Sequence, residues 1–285
     1  MVPCSFTMTI LVLMPPRGRA AFLTTEADMV RYMEEHPSRA YLSHLVRYGP
    51  YTSVMEVGVA GGRFAEHFLT TSGDTLKKYI MIEPFPNKAL RSRYPEMQGF
   101  APKYVRPRAH PPLRPNGRPG EDTTPWYIRG IGEGVEKLFF QKFSTDPEMI
   151  AMIPTNSVDL VYLDGAHDHD NVFNEMEPYW RMVAPGGVLA GHDYCNYGEP
   201  SLPCSGCASI PRCVRYTHVG KGNRTAKNQN GVVSAVQKWL LAHPELTVNY
   251  TRENFTREQL ARDGMNYDLV ITATYNPSWY IFKSH

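Results

Sequence analysis

The sequence predicts an α/β protein built on a mostly parallel sheet, with an antiparallel C-terminal edge strand and helices on both faces. Three observations carry the prediction. Short β-branched and apolar runs alternate with helical patterns through Glu245, the signature of a parallel sheet with crossover helices. The chain then closes on two consecutive strand-like runs, which implies a hairpin and hence an antiparallel edge. Finally, its 285 residues are 42% hydrophobic and 20% charged, a globular composition long enough to bury a core without staples.

The elements follow in order. Phe6 to Met14 is apolar but short, and no Lys or Arg precedes it. It reads as a strand, because a secretory signal wants a basic start and a longer apolar run. Thr24 and Thr25 before Glu26 and Asp28 mark a helix start, with Met29, Tyr32 and Met33 following at helical spacing. A second helix is expected over 38–48, ending at Gly49-Pro50. Residues 1–49 thus form an N-terminal helical segment ahead of a domain spanning 50–285. Thr52 to Val59 reads as a buried strand, Gly62 to Thr70 as a helix, and Tyr79 to Ile82 as the next strand, ending at Glu83.

Over 101–125 the pattern dissolves. Seven of those 25 residues are proline, interleaved with Arg106, Arg108, Arg114 and Arg118. This is a long insertion and not a second domain: a solvated flap, or a lid or clamp for an acidic substrate. Strands resume at Leu138–Phe143 and Val158–Leu163. A helix over Asp170–Met182, with Glu175 and Glu177 expected on its solvated face, leads through Pro185-Gly186-Gly187 to strand Val188–Ala190. After a cysteine-rich loop at 195–213 come a helix over Val232–Ala242, a strand over Leu246–Thr251, and a final pair over 268–274 and 278–283.

Thirty Lys+Arg against 28 Asp+Glu give a net charge of +2, which leaves no electrostatic footprint for nucleic acid. No run of 18 apolar residues exists, so no membrane span is expected. Cys195, Cys204, Cys207 and Cys213 cluster within one loop. The Cys204-Ser-Gly-Cys207 spacing suits zinc, and two local disulfides suit an oxidising compartment equally well. Sequons at Asn223, Asn249 and Asn254 lean slightly toward the latter. The sequence leaves bridge type and compartment open, and expects a structural staple in either case.

Two constellations carry chemistry. Glu56-Val-Gly58-Val-Ala60-Gly61-Gly62 sits where a strand hands over to a helix, and its glycines permit a sharp turn and close approach to a ligand. A dinucleotide fingerprint would also place glycines here. Glu56 on the strand itself, however, suits a cationic ligand better than a pyrophosphate. Glu83 ends the next strand, where a carboxylate can accept both hydroxyls of a ribose. The second constellation pairs Leu163-Asp164-Gly165-Ala166-His167 with Gly191-His192-Asp193-Tyr194. Both follow strand ends on one sheet edge, where ligands of α/β folds bind. Asp164 and Asp193 offer hard oxygens for Mg2+ or another divalent cation. His192 is a further ligand for a transition ion, or a second base. His167 is the candidate general base for a hydroxyl proton. The plainer alternatives are that Asp164 caps a loop, that His167 is an exposed loop residue, or that the site works without a metal. Tyr194 and Trp180 read as packing residues.

The Glu-x-Gly-x-x-x-Gly turn, Glu83 and the Pro185-Gly186-Gly187 turn together resemble class I S-adenosylmethionine-dependent methyltransferases, in particular the small-molecule O-methyltransferase branch called methyltransferase family 24. The resemblance covers about residues 50–195 and, more loosely, the C-terminal strands. It implies a Rossmann-like, seven-stranded fold and S-adenosyl-L-methionine as cofactor. Glu56, Gly58, Ala60 and Gly62 would wrap its amino-acid part, with Asp164 beside them and Glu83 on the ribose. Asp146 would meet the adenine, with Ser144 and Thr145 competing for that role. Ala60 stands where glycine is commonest, and the 101–125 insertion is foreign to the core family. Asp164, His167 and Asp193 are also similar to the metal and base positions of metal-dependent sugar and catechol O-methyltransferases, with His192 where some relatives carry a carboxylate. The activity this implies is methyl transfer to a small-molecule hydroxyl. The alternatives are aminopropyl transfer on the same fold and a cofactor-binding module without turnover.

Overall fold

The computed structural model describes residues 23–60, 62–84, 131–195, 231–253, 255–266 and 276–285. The run over 6–14, the insertion at 101–125, Cys204, Cys207 and Cys213, and the strand expected over 268–274 lie outside the described residues.

Seven strands form one sheet: β1 Ser53–Val57, β2 Lys78–Ile82, β3 Glu136–Phe140, β4 Val158–Leu163, β5 Val183–Gly191, β6 Asn249–Tyr250 and β7 Trp279–Phe282. Their order is β3-β2-β1-β4-β5-β7-β6. Strands β1 to β5 pair in parallel, and β7 runs antiparallel to both β5 and β6. The fold class is the expected one. The C-terminal strand supplies the antiparallel character, slotted beside β5 with the two-residue β6 outside it.

Among the described residues the helices are α1 Glu26–Glu35, α2 Leu42–Tyr48, α3 Arg63–Thr71, α4 Pro147–Met152, α5 His169–Met182, α6 Gly231–Leu240 and α7 Arg257–Arg262. Residues of α1, α2, α3 and α7 pack on one sheet face with Val54, Tyr79, Leu160 and Tyr162. Residues of α4, α5 and α6 cover the other with Met55, Val57, Val161 and Leu163. Covering both faces explains why β1 and β4 read as near-continuous apolar runs and not as alternating ones. At the start of α1, Thr25 and Asp28 cap each other's backbone reciprocally, and Met29, Tyr32 and Met33 face the core as their spacing predicts.

Three details differ from expectation. Strand β3 ends before Phe143, which is 58% exposed. Helices α4 and α7 were not foreseen. Glu175 is not on a solvated face: it is 1% exposed, because it shares the inward stripe of α5 with Val172, Met176 and Tyr179. Glu177, one turn-phase away, does stay exposed and accepts from the Trp239 indole N–H at 3.2 Å.

The strand order reverses between β1 and β4. In open α/β sheets a crevice at the carboxyl ends of the strands opens at that switch point, and ligands bind there. Both constellations read from the sequence fall at this place, at the ends of β1, β2, β4 and β5.

Candidate active site

The turn after β1 is shaped by backbone geometry. Gly58 adopts φ +84°, and a Cβ there would sit 2.2 Å from the Asp164 carbonyl oxygen. Only glycine allows the two chain segments to lie so close. Ala60 also has positive φ, at 46°, and Gly62 enters α3 in the left-handed region. An alanine at φ 46° is strained, and one contact that holds the turn is visible: the Ala60 N–H donates to Glu83 Oε2 at 2.9 Å. Glu83 is 8% exposed and its own N–H donates to Phe140 O. The carboxylate expected on a ribose therefore stands at the rim of the glycine turn.

Glu56 lies on β1 beneath that turn. It is 1% exposed and accepts from the Tyr79 hydroxyl at 2.7 Å. Burial pushes its carboxyl well above the usual range, with Asp164 and Glu83 adding to the shift and Tyr79 opposing it. Its anionic form is thus disfavoured, which weakens the sequence argument for Glu56 as an anion facing a cationic ligand.

The second constellation converges on His167. Its Nε2 lies 3.2 Å from Asp164 Oδ1 and its Nδ1 lies 2.9 Å from Asp193 Oδ2. Beside it, His192 Nδ1 is 3.2 Å from both Asp164 Oδ1 and Asp193 Oδ1. Asp193 is anchored further by the Asn276 side-chain amide at 2.8 Å. Two loops are brought together by the parallel pairing of β4 and β5, which sets Leu163 against Gly191. The His192 N–H donates to Leu163 O, and the Asp164 N–H donates to Val57 O.

Electrostatics follow from this interleaving of acids and imidazoles. Burial works against the Asp164 anion, yet His192 and His167 hold its carboxyl well below the usual carboxylate range. Burial likewise opposes the Asp193 anion, while His192, His167 and Asn276 bring it down to about 2. Burial disfavours the His167 imidazolium, but the hydrogen bonds it donates to both aspartates outweigh it and push His167 up to about 10. With both carboxylates on it, His167 carries a proton at neutral pH.

Among the described residues, Asp164, His167 and His192 each bring one ligand atom within 4.8 Å of one another. Asp193 does not join that group and stands behind it, on His167 and His192. Asp146 is found as the N-cap of α4, accepting from the N–H groups of Glu148 and Met149, with Lys142 Nζ at 3.1 Å. Ser144 donates to Glu175 Oε1. Tyr194 is buried with its hydroxyl accepting from Gln237, a packing role as expected. Cys195 is buried and disulfide-bonded, so at this cysteine the staple is a disulfide.

Sequence reasoning missed two charged groups at the site. The Arg39 guanidinium, from the 3-10 turn Arg39–Tyr41, lies 3.8 Å from Asp164 Oδ2 and 5.4 Å above the Phe64 ring. Nothing local in Pro37-Ser-Arg-Ala-Tyr41 signals that placement, which is set by tertiary packing. Glu175 lines a small cavity of about 10 Å³ together with His167, His192 and Trp279, and its Oε2 has no hydrogen-bond partner among the described residues. Its inward helical phase was readable from Val172, Met176 and Tyr179.

Residues 55–194 match the sequence profile of methyltransferase domain family 24, described as a methyltransferase domain. The uncharacterized protein R132 of Acanthamoeba polyphaga mimivirus is 28% identical over 68 residues, 23% of this chain and 30% of that protein. The chain thus matches less than a third of that relative's length. Among solved structures, an O-methyltransferase of Streptomyces achromogenes involved in tomaymycin synthesis, solved with S-adenosylmethionine, is 13% identical at TM-score 0.44, covering 86% of this chain and 79% of its own. A Bacillus cereus O-methyltransferase, solved with S-adenosylhomocysteine, is 10% identical at TM-score 0.45, covering 90% and 88%. From the strand order, the glycine turn and the profile match, residues 55–194 of this chain form a methyltransferase domain of the class I type.

Proposed function

We propose that the protein transfers the methyl group of S-adenosylmethionine to a hydroxyl of a small molecule. One observation carries the reading. The glycine turn with Glu83 and the Asp164–His167–Asp193 cluster share one crevice, meeting where Gly58 presses on the Asp164 backbone. A cofactor cradle and a proton-handling cluster are therefore adjacent.

The cradle fits the cofactor in its chemistry. The missing Cβ at Gly58 lets the turn pack directly on the Asp164 backbone, which brings the two loops to one crevice, and Glu83 offers two oxygens to the ribose hydroxyls. Bound there, the cofactor supplies a methyl group on a positively charged sulfur. This chain's residues would hold the acceptor hydroxyl beside that methyl group and take its proton as the group is transferred. Catalysis is then positioning plus proton removal.

His167 is the proton acceptor in this reading, and Asp193 on Nδ1 orients its ring. Nε2 becomes a base once an acceptor hydroxyl takes the place of the Asp164 carboxylate against it. For a divalent ion, the donor set Asp164, His167 and His192 fits a borderline metal better than Mg2+, since two of three donors are imidazole; a His167 spent as a ligand would not be the base. Asp193 contributes from behind them. Such an ion would lower the pKa of an acceptor hydroxyl.

The test is mass spectrometry of hydroxylated small molecules incubated with the full chain and S-adenosylmethionine. A gain of about 14 Da, one CH2, is the outcome of methyl transfer at a single hydroxyl. In a parallel incubation with decarboxylated S-adenosylmethionine, an aminopropyl gain and no methyl gain in the first would assign the chain to the alternative chemistry instead.

A further inference from the structure

We propose that Arg39 is a positioning residue of the site: it fixes the direction of the Asp164 carboxylate and, through it, the ring of His167. The inference rests on the reading of His167 as the base and deepens it, with a residue from outside the segment 55–194.

The arrangement around Asp164 is the first argument. Its Oδ1 serves both imidazoles, at 3.2 Å from His167 Nε2 and 3.2 Å from His192 Nδ1. Its Oδ2 has Arg39 Nη1 at 3.8 Å. The terminal torsion of an aspartate is broad and two-fold, so contacts at one oxygen set the plane of the group only weakly. At 3.8 Å the link to Arg39 is an ion pair without a hydrogen bond. A cation at that place attracts Oδ2 and opposes rotation of the carboxylate away from the imidazoles. When an acceptor hydroxyl replaces the carboxylate against Nε2, the same cation keeps a buried anion paired, and a buried anion without a partner is costly.

The second argument is that the Arg39 side chain is itself fixed. Its guanidinium hydrogen-bonds the Tyr162 side chain and lies 5.4 Å above the Phe64 ring. Tyr162 stands on β4, two residues before Asp164, and its ring is 4.4 Å from that of Phe64. A guanidinium donates in its plane and stacks by its face, so the two contacts set both its place and its tilt. These partners commit the group to the protein, which suits a support for a neighbouring carboxylate.

The third is a latch from the far end of the sequence. Glu253 adopts a left-handed backbone, φ 49°, a conformation that costs a non-glycine residue stability. Its carboxylate accepts from the Arg39 N–H and the Ser38 hydroxyl, each at 2.8 Å, and from the Thr251 hydroxyl at 2.6 Å. Thr251 Oγ1 accepts in turn from the Ser278 N–H at 2.8 Å, and the Ser278 and Tyr162 hydroxyls pair at 2.8 Å. The circuit from Glu253 through Thr251, Ser278 and Tyr162 thus closes on Arg39, and a connected buried network of this kind rigidifies its members. Asn276 makes the matching contact on Asp193, at 2.8 Å. Each aspartate of the crevice is therefore steadied by a residue outside 55–194.

The experiment reads, by NMR of the full chain at neutral pH, how fast the two ring N–H protons of His167 exchange with water. Their signals are assigned by their absence in His167→Gln. Nε2–H reports the contact with Asp164, and Nδ1–H the contact with Asp193. Arg39→Gln should speed exchange at Nε2–H about ten-fold or more and leave Nδ1–H within about three-fold, as loss of one charged support predicts. Arg39→Lys, which keeps the charge, should fall between. Glu253→Gly removes the latch while relieving the left-handed backbone; it should show the same selective change, and it carries the test if Arg39→Gln does not fold. Equal acceleration at both ring protons, as a general loosening gives, would overturn the proposal. So would no acceleration at either, or no Nε2–H signal in the wild type. Selective acceleration in a chain that gives no methyl gain would support the positioning role and overturn the proposed function, which tells the two failures apart.

Discussion

His167 is gripped by two carboxylates at once, and that grip decides what a substitution there does. Replacing it with Gln keeps size and one donor but removes the base, so turnover on an identified acceptor should fall about 10²–10⁴-fold. Cofactor affinity, read by titration, should stay within a few-fold, because in the proposed reading His167 handles the acceptor's proton and Glu83 and the glycine turn hold the cofactor. Survival of activity within a few-fold would move the base to His192. Glu175 makes a separate prediction. Its carboxyl is pushed up to about 7, mainly by burial, from an ordinary 4.5. A carboxyl raised on folding stabilises the native state fully below its unfolded value, and that contribution is lost as pH rises through its folded value. The melting temperature of the wild type should therefore decline between roughly pH 5 and pH 8, where Glu175→Gln should give a flatter curve. Parallel curves would show that Glu175 is not the group responsible.

At the scale of elements, helix α4 separates two roles for one residue. Asp146 caps it, and removing a cap costs about 0.5–2 kcal/mol. Asp146→Ala should lower thermal stability by that order while leaving cofactor affinity nearly intact if capping is its whole work. A matching loss of affinity would give it the adenine contact that the family resemblance suggests. This helix also shows what the sequence concealed. Asp146-Pro147-Glu148 carries a cap, a proline at the first helical position and an acid in the first turn, all of them start signals. The helix is only six residues long, too few for a periodic stripe to declare itself. Helix α7, six residues behind Thr256, escaped notice for the same reason. The long elements were legible because periodicity had room to act: β4 falls on Val158–Leu163 as its apolar run predicts, and α5 begins one residue early. Within the site, Gly58, Glu83, Asp164, His167, His192 and Asp193 were legible since each follows a strand end. Arg39 was not, because its approach to Asp164 depends on a latch from residue 253.

The molecule as a whole draws its site from more than the matched segment. Arg39 comes from before residue 55 and Asn276 from well after 194, and both touch the aspartates of the crevice. Helices α1 and α2 bury Met33, Leu42, Leu45 and Val46 against the same core as the sheet. A chain begun at residue 50 should accordingly lose its cooperative thermal transition, or melt more than ~10 °C lower, since burying each such side chain contributes about 1.5–3 kcal/mol. An unchanged melt would make residues 1–49 an appendage. No helix among the described residues is long and apolar enough to cross a membrane. In the proposed reading, the crevice beside the glycine turn is a cofactor site with Glu83 on the ribose. The most direct measurement is calorimetric titration of the full chain and of Glu83→Ala with S-adenosylhomocysteine. One-site binding to the wild type, weakened by about 1.5–3 kcal/mol in a folded Glu83→Ala, is the predicted result, as expected for loss of charge-assisted hydrogen bonds. Absence of binding to the wild type, or equal affinity in the two proteins, would contradict it.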